Sequence, residues 1–306
     1  ECILTDLPVG LSSLLVANWL DWTDVSRLDS AFTSKRVRPS FLKILSSSAV
    51  FPNQNSKNNC NKPQDSFTKW LCLRSVRVKA LSLYGVSAAT AEDCLARSGG
   101  VLTYLSVVTV DANYLRMSEM GDLSNIDSVS LTVVANQCTQ LEHFVYNGNV
   151  LDGLELQAVL RANPHLSRLD LVGTLRGKSV VPFERVLCPN LATITARLEL
   201  KEQFGAFILP LLLSLLRPNK QVHTLVLDSQ LSLVIRDMIV VEQSDVLGVL
   251  KHCPNLTTLS LQRSQIDTQT VHTITTLCPH LQHVDISCTE SVDDLAVRHL
   301  AQNLRL

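Results

Sequence analysis

The sequence predicts an α/β solenoid, in which one strand–turn–helix unit recurs and stacks so that its strands form a parallel sheet. Three observations predict it: an apolar triplet of fixed spacing, helical apolar patterns between the triplets, and a proline stop at each helix end. The triplet is clearest in HCPNLTTLSLQ (252–262), which returns 25 residues later as LCPHLQHVDIS (277–287). Leu259 and Leu261 are two apart, the period of a strand with one buried face. Leu256 lies three residues earlier, where the chain turns into the strand. The same comb recurs as Val78-Leu81-Leu83, Leu102-Leu105-Val107, Leu141-Phe144-Tyr146, Leu166-Leu169-Leu171, Leu191-Ile194-Ala196, Val222-Leu225-Leu227 and Leu281-Val284-Ile286. Successive combs open 24, 39, 25, 25, 31, 34 and 25 residues apart, and the three longer spacings read as the same unit carrying insertions.

Between combs, Leu154–Leu160, Asp245–Leu250 and Thr270–Leu277 place apolar residues at helical spacing. The helices run into Asn163-Pro164, Cys188-Pro189, Cys253-Pro254 and Cys278-Pro279. Proline ends a helix and pushes the preceding residue toward extended geometry. Cysteine is small and readily buried, so it fills space at that end. No single unit can bury its own apolar face, so the units must stack.

A period near 25 residues is that of leucine-rich repeats. The expected architecture is therefore a right-handed leucine-rich-repeat solenoid, a horseshoe with parallel strands on the concave face and helices on the convex face. It occupies 78–306 in about eight repeats, running off the C-terminal end. A cap at 67–77 precedes it, where Phe67, Trp70 and Leu71 cover the first strand. Residues 47–66, rich in Ser, Asn, Lys and Pro, read as a polar linker or loop.

Residues 1–46 carry no comb. Asp6 and Pro8 open a helix with Leu11, Leu14, Leu15 and Trp19 on one face. Thr23 or Asp24 caps a second helix with Val25, Leu28, Ala31 and Phe32, and Pro39 opens a third with Phe41, Leu42 and Leu45 inward. So small a helical piece needs support from the repeats or from a partner. Leu7, Pro8, Leu11, Leu14, Leu15, Trp19, Leu20, Asp24, Val25, Leu28 and Phe41 resemble an F-box. Together with the Cys-Pro combs, the chain resembles F-box/leucine-rich-repeat proteins of the cysteine-containing repeat type. That resemblance implies the substrate-recognition subunit of an SCF-type E3 ubiquitin ligase in the cytoplasm or nucleus. Leu7, Pro8, Leu11, Leu15, Trp19, Leu20, Val25 and Leu28 would dock a Skp-type adaptor bound to the cullin ligase core.

Composition narrows the alternatives. A formal net charge of -1 gives no reason to expect nucleic acid or an anionic membrane as partner. The odd number of cysteines, nine, and their recurrence at one repeat position point to reduced structural thiols rather than a disulfide framework. No Cys-x-x-Cys pair suggests zinc. The sequon Asn255-Leu256-Thr257 sits at the mouth of a strand, where a glycan would collide with the stack. The apolar run Phe204 to Leu216 is too short to cross a bilayer and reads as an enlarged helix. No nucleophile elbow, phosphate loop or His-Glu-x-x-His is present, so no catalytic residue, cofactor or metal is expected.

Residues between the comb teeth should face away from the core. Among them Tyr84, Tyr104, His143, Asn147, Arg168, Asp170, Arg197, Asp228, Gln262, Arg263, His283 and Asp285 form the candidate surface for a protein target, because Tyr and Arg are frequent anchors. Any sheet face in water is polar, so a plain repeat scaffold, with the N-terminal helices acting only as a cap, stays open beside the ligase reading.

Overall fold

The computed structural model describes residues 8, 12, 22–31, 37–46, 65–74, 76–108, 130–148, 153–173, 188–198, 209–229, 243–264, 266–289 and 291–304. The chain divides into two compact units, Glu1–Leu141 and Glu142–Leu306.

The first unit begins with helices α1 (Trp22–Ala31), α2 (Arg38–Ser46) and α3 (Asp65–Leu73). Strand β1 (Ala80–Tyr84) and helix α4 (Ala88–Ser98) then form a strand–helix unit, followed by β2 (Tyr104–Val108) and α5 (Leu131–Gln137). Strands β1 and β2 are parallel, with Leu81 opposite Leu105 and Leu83 opposite Val107. Those teeth are buried beneath Ala91, Cys94 and Leu95 of α4. Ser87 caps α4 by accepting from the Thr90 amide at 3.4 Å.

Asp29 of α1 ties the N-terminal helices to the repeats. Its carboxylate is buried, 3 % exposed. It accepts from Arg38 Nη2 of α2 at 3.0 Å, from Trp70 Nε1 of α3 at 3.0 Å and from Arg74 Nε, just past α3, at 2.8 Å. Phe41 and Ile44 of α2 are buried, as are Thr68 and Leu71 of α3. Helix α3 packs on α4.

The second unit holds β3 (His143–Asn147), α6 (Gly153–Ala162), β4 (Arg168–Gly173), β5 (Thr193–Leu198), α7 (Leu209–Leu216), β6 (Thr224–Ser229), α8 (Gln243–Leu250), β7 (Thr258–Ser260), α9 (Thr268–Leu277), β8 (His283–Asp285) and α10 (Asp294–Asn303). Strands β3 to β8 pair in sequence order, all parallel. Register follows the combs: Phe144 lies opposite Leu169, Leu169 opposite Ile194, Ile194 opposite Leu225, Leu225 opposite Leu259 and Leu259 opposite Val284. The 31- and 34-residue spacings keep that register, so the added length does not shift the sheet. The teeth are buried except Val284 and Ile286 of the last comb, which lie in and just after β8, the last strand in the sheet order. A recurrent ladder locks the strand entries. The carbonyl just after each comb opener accepts two amides of the next repeat, as Glu142 does from Ser167 and Arg168 and His223 does from Thr257 and Thr258. Helix α7 starts one residue before Pro210, which therefore sits in the first turn, where no intrahelical N–H bond is lost.

The position three residues before the comb opener is a buried column of Cys138, Asn163, Cys188, Asn219, Cys253 and Cys278. Five of them donate to carbonyls in or near the last turn of a helix. Asn163 Nδ2 reaches Val159 O at 2.8 Å, Asn219 Nδ2 reaches Leu215 O at 2.6 Å and Cys253 Sγ lies 3.7 Å from Val249 O. Cys188 and Cys278 donate instead to the preceding repeat, to Leu160 O and Cys253 O. Burial pushes the Cys138 and Cys253 thiols up to about 12 and those of Cys188 and Cys278 up to about 11. They stay protonated donors and are poor nucleophiles. All seven described cysteines are free, and only Cys288 among them is exposed. Gly85, Arg263 and Cys288, each seven residues past its comb opener, all have φ near +60° (61°, 58° and 61°), so one left-handed turn recurs after β1, β7 and β8.

The last two repeats should weaken on mild acidification. The His272 and His299 rings lie 3.6 Å apart between α9 and α10, and His299 Nε2 meets Thr275 Oγ1 at 2.9 Å. Partial burial and then the His272 charge push the His299 imidazole below its usual 6.5. The unfolded chain therefore binds the proton first as pH falls, so stability is complete above 6.5 and declines below it. Burial, Lys220, Arg217 and Lys251 act on His252 in the same direction. The helix caps Asp267 and Asp293, which accept from Thr270 N and Ala296 N, are held below the usual 3.8, so their contribution fades only in stronger acid. Hydrogen exchange corrected for intrinsic rates should show α9 and α10 losing protection just below 6.5 while α6 keeps it. Unchanged protection in that window would refute the assignment.

Candidate functional site: the polar sheet face

Alternation along each strand buries the teeth and turns the residues between them to the opposite face. In the first unit that face presents Tyr84 and Tyr104, both half-buried. They lie at opposite ends of the β1–β2 pair, since Tyr104 is opposite Ala80 and Tyr84 opposite Val108.

In the second unit the face is organised around Asp170. His143 and Arg168 are register partners on β3 and β4, and Asp170 follows two residues on, opposite Thr195. Arg168 Nε donates to both Asp170 oxygens, at 3.2 and 2.9 Å, and His143 Nε2 meets Oδ2 at 2.9 Å. Burial works against the Asp170 charge, but hydrogen bonds from His143 and Thr195 and the charges of Arg168 and His143 outweigh it and hold the carboxyl below its usual range. Its side chain is 10 % exposed, against 50 % for Arg168. The carboxylate is thus used internally as an orienting group. Because Nε is the bonded nitrogen, the Nη edge of the guanidinium is directed away from Asp170. That edge is a planar double donor suited to an oxyanion.

Asp285 repeats the arrangement at the far edge. It accepts from Ser287 Oγ at 2.5 Å, from Gln262 Nε2 and from the Ser287 amide, and these bonds lower its carboxyl below the usual range. His283, opposite Thr258, is exposed. Asn147 is half-buried on β3, and Arg263 lies in the left-handed turn beyond β7, its amide bonded to Ser287 O at 3.1 Å. Arg197 and Asp228 are register neighbours on β5 and β6, but their side chains lie outside the described residues.

The structure thus brings His143, Arg168 and Asp170 together, and Gln262 with Asp285, while the two tyrosines lie at opposite ends of their strand pair. Thr195, which stands between the teeth of its own comb as Asp170 does, is a hydrogen-bond partner of Asp170 one strand along. Of the proposed adaptor-binding residues, Pro8 is exposed and Leu28 half-buried. Leu7, Leu11, Leu15, Trp19 and Leu20 lie outside the described residues, as does the side chain of Val25. Among the described residues no group of three or more His, Cys, Asp or Glu is placed to hold a metal, and no helix is long and apolar enough to cross a membrane.

No protein-family model matches the sequence, and no curated protein matches it. Among solved structures, the fold resembles the TLR13 chain of a TLR13–ssRNA13 complex at 14 % identity, over 76 % of this chain and 33 % of that one, with a TM-score of 0.43. It also resembles an internalin, InlF, of Listeria monocytogenes at 14 % identity, over 76 % of this chain and 67 % of that one, with a TM-score of 0.40. This chain spans about a third of the length of the TLR13 chain. At that level of likeness neither neighbour bears on what this chain binds.

Proposed function

We propose that the chain is a protein-recognition repeat module and that it serves as the substrate-recognition subunit of an SCF-type ubiquitin ligase. The observation supporting the first part is the sheet face of the second unit. It carries an arginine held in place by a buried carboxylate, a costly arrangement for a face with no partner. The finer part is supported by the F-box-like residues Leu7, Pro8, Leu11, Leu15, Trp19, Leu20, Val25 and Leu28, which would engage a Skp-type adaptor and through it the cullin core. No residue of the chain does chemistry in this reading. The module holds a protein target near a ubiquitin-charged enzyme, and the rate gain is one of proximity.

The second reading, a scaffold whose N-terminal helices serve only as a cap, is favoured by Asp29, which bonds those helices to Trp70 and Arg74. Adaptor capture from cell extract separates the two. Capture of adaptor and cullin, abolished by Leu7→Ala with Pro8→Ala while the repeats keep their melting transition, is the expected result. Absence of capture by the unaltered chain supports the scaffold.

A further inference from the structure

The near-neutral net charge hides a separation of charge along the second unit. The segments that enter strands β4 to β8 read RANPHLSR (161–168), CPNLAT (188–193), RPNKQVHT (217–224), KHCPNLTT (251–258) and CPHLQH (278–283), with five Lys or Arg, five His and no Asp or Glu. Because these strands pair in one register, the segments lie side by side and form a rim. The acidic helix caps Asp267 and Asp293 lie at the opposite end of the repeats, and the exposed Glu142, at the entry to β3, bounds the rim on one side.

Arg217, Lys220 and Lys251 are exposed, and all three charges act on His252, which places them in one neighbourhood. Helix dipoles favour cations in a last turn or just past it, which accounts for Arg217 and Lys251. They do not account for Lys220, His223, His280 and His283, which lie further along in the turns and strand entries. The rim spans five strands, about 20 Å, the reach of roughly six extended residues. It joins the sheet face at Arg168, whose Nη edge is turned outward, and at the neighbouring first-position residues Thr193, Thr224 and Thr258. The five segments contain no Phe, Tyr or Trp, the large rings on which single-stranded nucleic acid stacks best.

We propose that this basic rim receives an acidic segment of a protein partner, which crosses the strand entries and anchors a carboxylate on Arg168. The proposal rests on reading the chain as a protein-binding module and gives the chemistry of its partner. It does not depend on adaptor capture.

The test uses the full chain and a fluorescein-labelled peptide of alternating Gly and Glu, with a Gly–Gln peptide as control. The Glu peptide should bind and the Gln peptide should not, and added salt should weaken binding. Arg217→Glu with Lys220→Glu should weaken it about tenfold or more, and Arg168→Gln by a similar factor. Arg217 and Lys220 are exposed, so the double variant should melt like the unaltered chain; Arg168→Gln takes a partner from buried Asp170 and should melt slightly lower, so binding is compared well below its transition, and Lys69→Glu on α3 should change nothing. Equal binding of the two peptides, or indifference to the double reversal, would overturn the proposal. So would tighter binding of an oligouridylate or of phosphatidylserine vesicles than of the Glu peptide. Peptide binding without adaptor capture would remove the ligase reading and leave this one standing.

Discussion

Asp29→Ala is expected to free helices α1 and α2 from the repeats at a cost of about 3 kcal/mol. The magnitude follows from what the substitution strands. The carboxylate is buried, and the three groups donating to it come from three separate places: Arg38 on α2, Trp70 on α3 and Arg74 beyond it. Both arginines are partly exposed, 27 % and 31 %, so water recovers some of their solvation and the cost falls short of a fully buried pair. The Trp70 N–H has less recourse. Asp29→Asn keeps one acceptor oxygen and the shape, so it should cost about half as much. Hydrogen exchange would show the loss in α1 and α2 with β3–β8 unchanged. Protection lost equally throughout would mean that Asp29 supports the whole chain, and no loss anywhere would mean that the apolar contacts of Phe41 and Ile44 suffice. The variant also bears on function: adaptor capture that survives a released Asp29 would mean that the helices act independently of the repeats.

Asp29 also marks what one sequence can and cannot reveal. The repeats were legible because their signal is both local and recurrent. A tooth spacing seen once is ambiguous between strand and helix, but seen eight times it predicts register, and the paired residues follow the comb spacings across the two enlarged units. The Cys-Pro stops were legible for the same reason, whereas Asn219, preceded by Pro218 rather than followed by proline, lacks that mark although it holds the same place in the column. The Asp29 bonds reach 9, 41 and 45 residues along the chain, and nothing in the local pattern distinguishes this aspartate from a solvated one. The candidate face was half legible. Alternation placed its residues on one side, but not which acids would be used internally. That depends on cross-strand neighbours, such as His143 beside Arg168, and so on register together with rotamer. The charge separation of the rim was present in the letters and hidden by the whole-chain sum, since net charge carries no position.

Gly99→Ala should destabilise the first unit by about 3 kcal/mol, toward the upper end for an overpacked site. Gly99 occupies the place that Cys or Asn fills in later repeats, three residues before the comb opener Leu102. The backbone there is ordinary, with φ -53° and ψ -41°, so the requirement for glycine is steric rather than conformational. A Cβ at this position would sit 2.4 Å from the carbonyl oxygen and 2.7 Å from the carbonyl carbon of Gln137, the last residue of α5. Backbone atoms cannot swing aside as a side chain would, so α4 and α5 would have to separate. The neighbouring residue supplies the control: a Cβ on Gly100 meets nothing within 4 Å, so Gly100→Ala should be neutral or slightly stabilising through the unfolded chain. Urea midpoints of the two variants should therefore move far apart although the substitutions are chemically identical and adjacent. Equal midpoints would mean that the stack tolerates looser spacing between α4 and α5, and that the glycine there is not what sets how closely those two repeats approach.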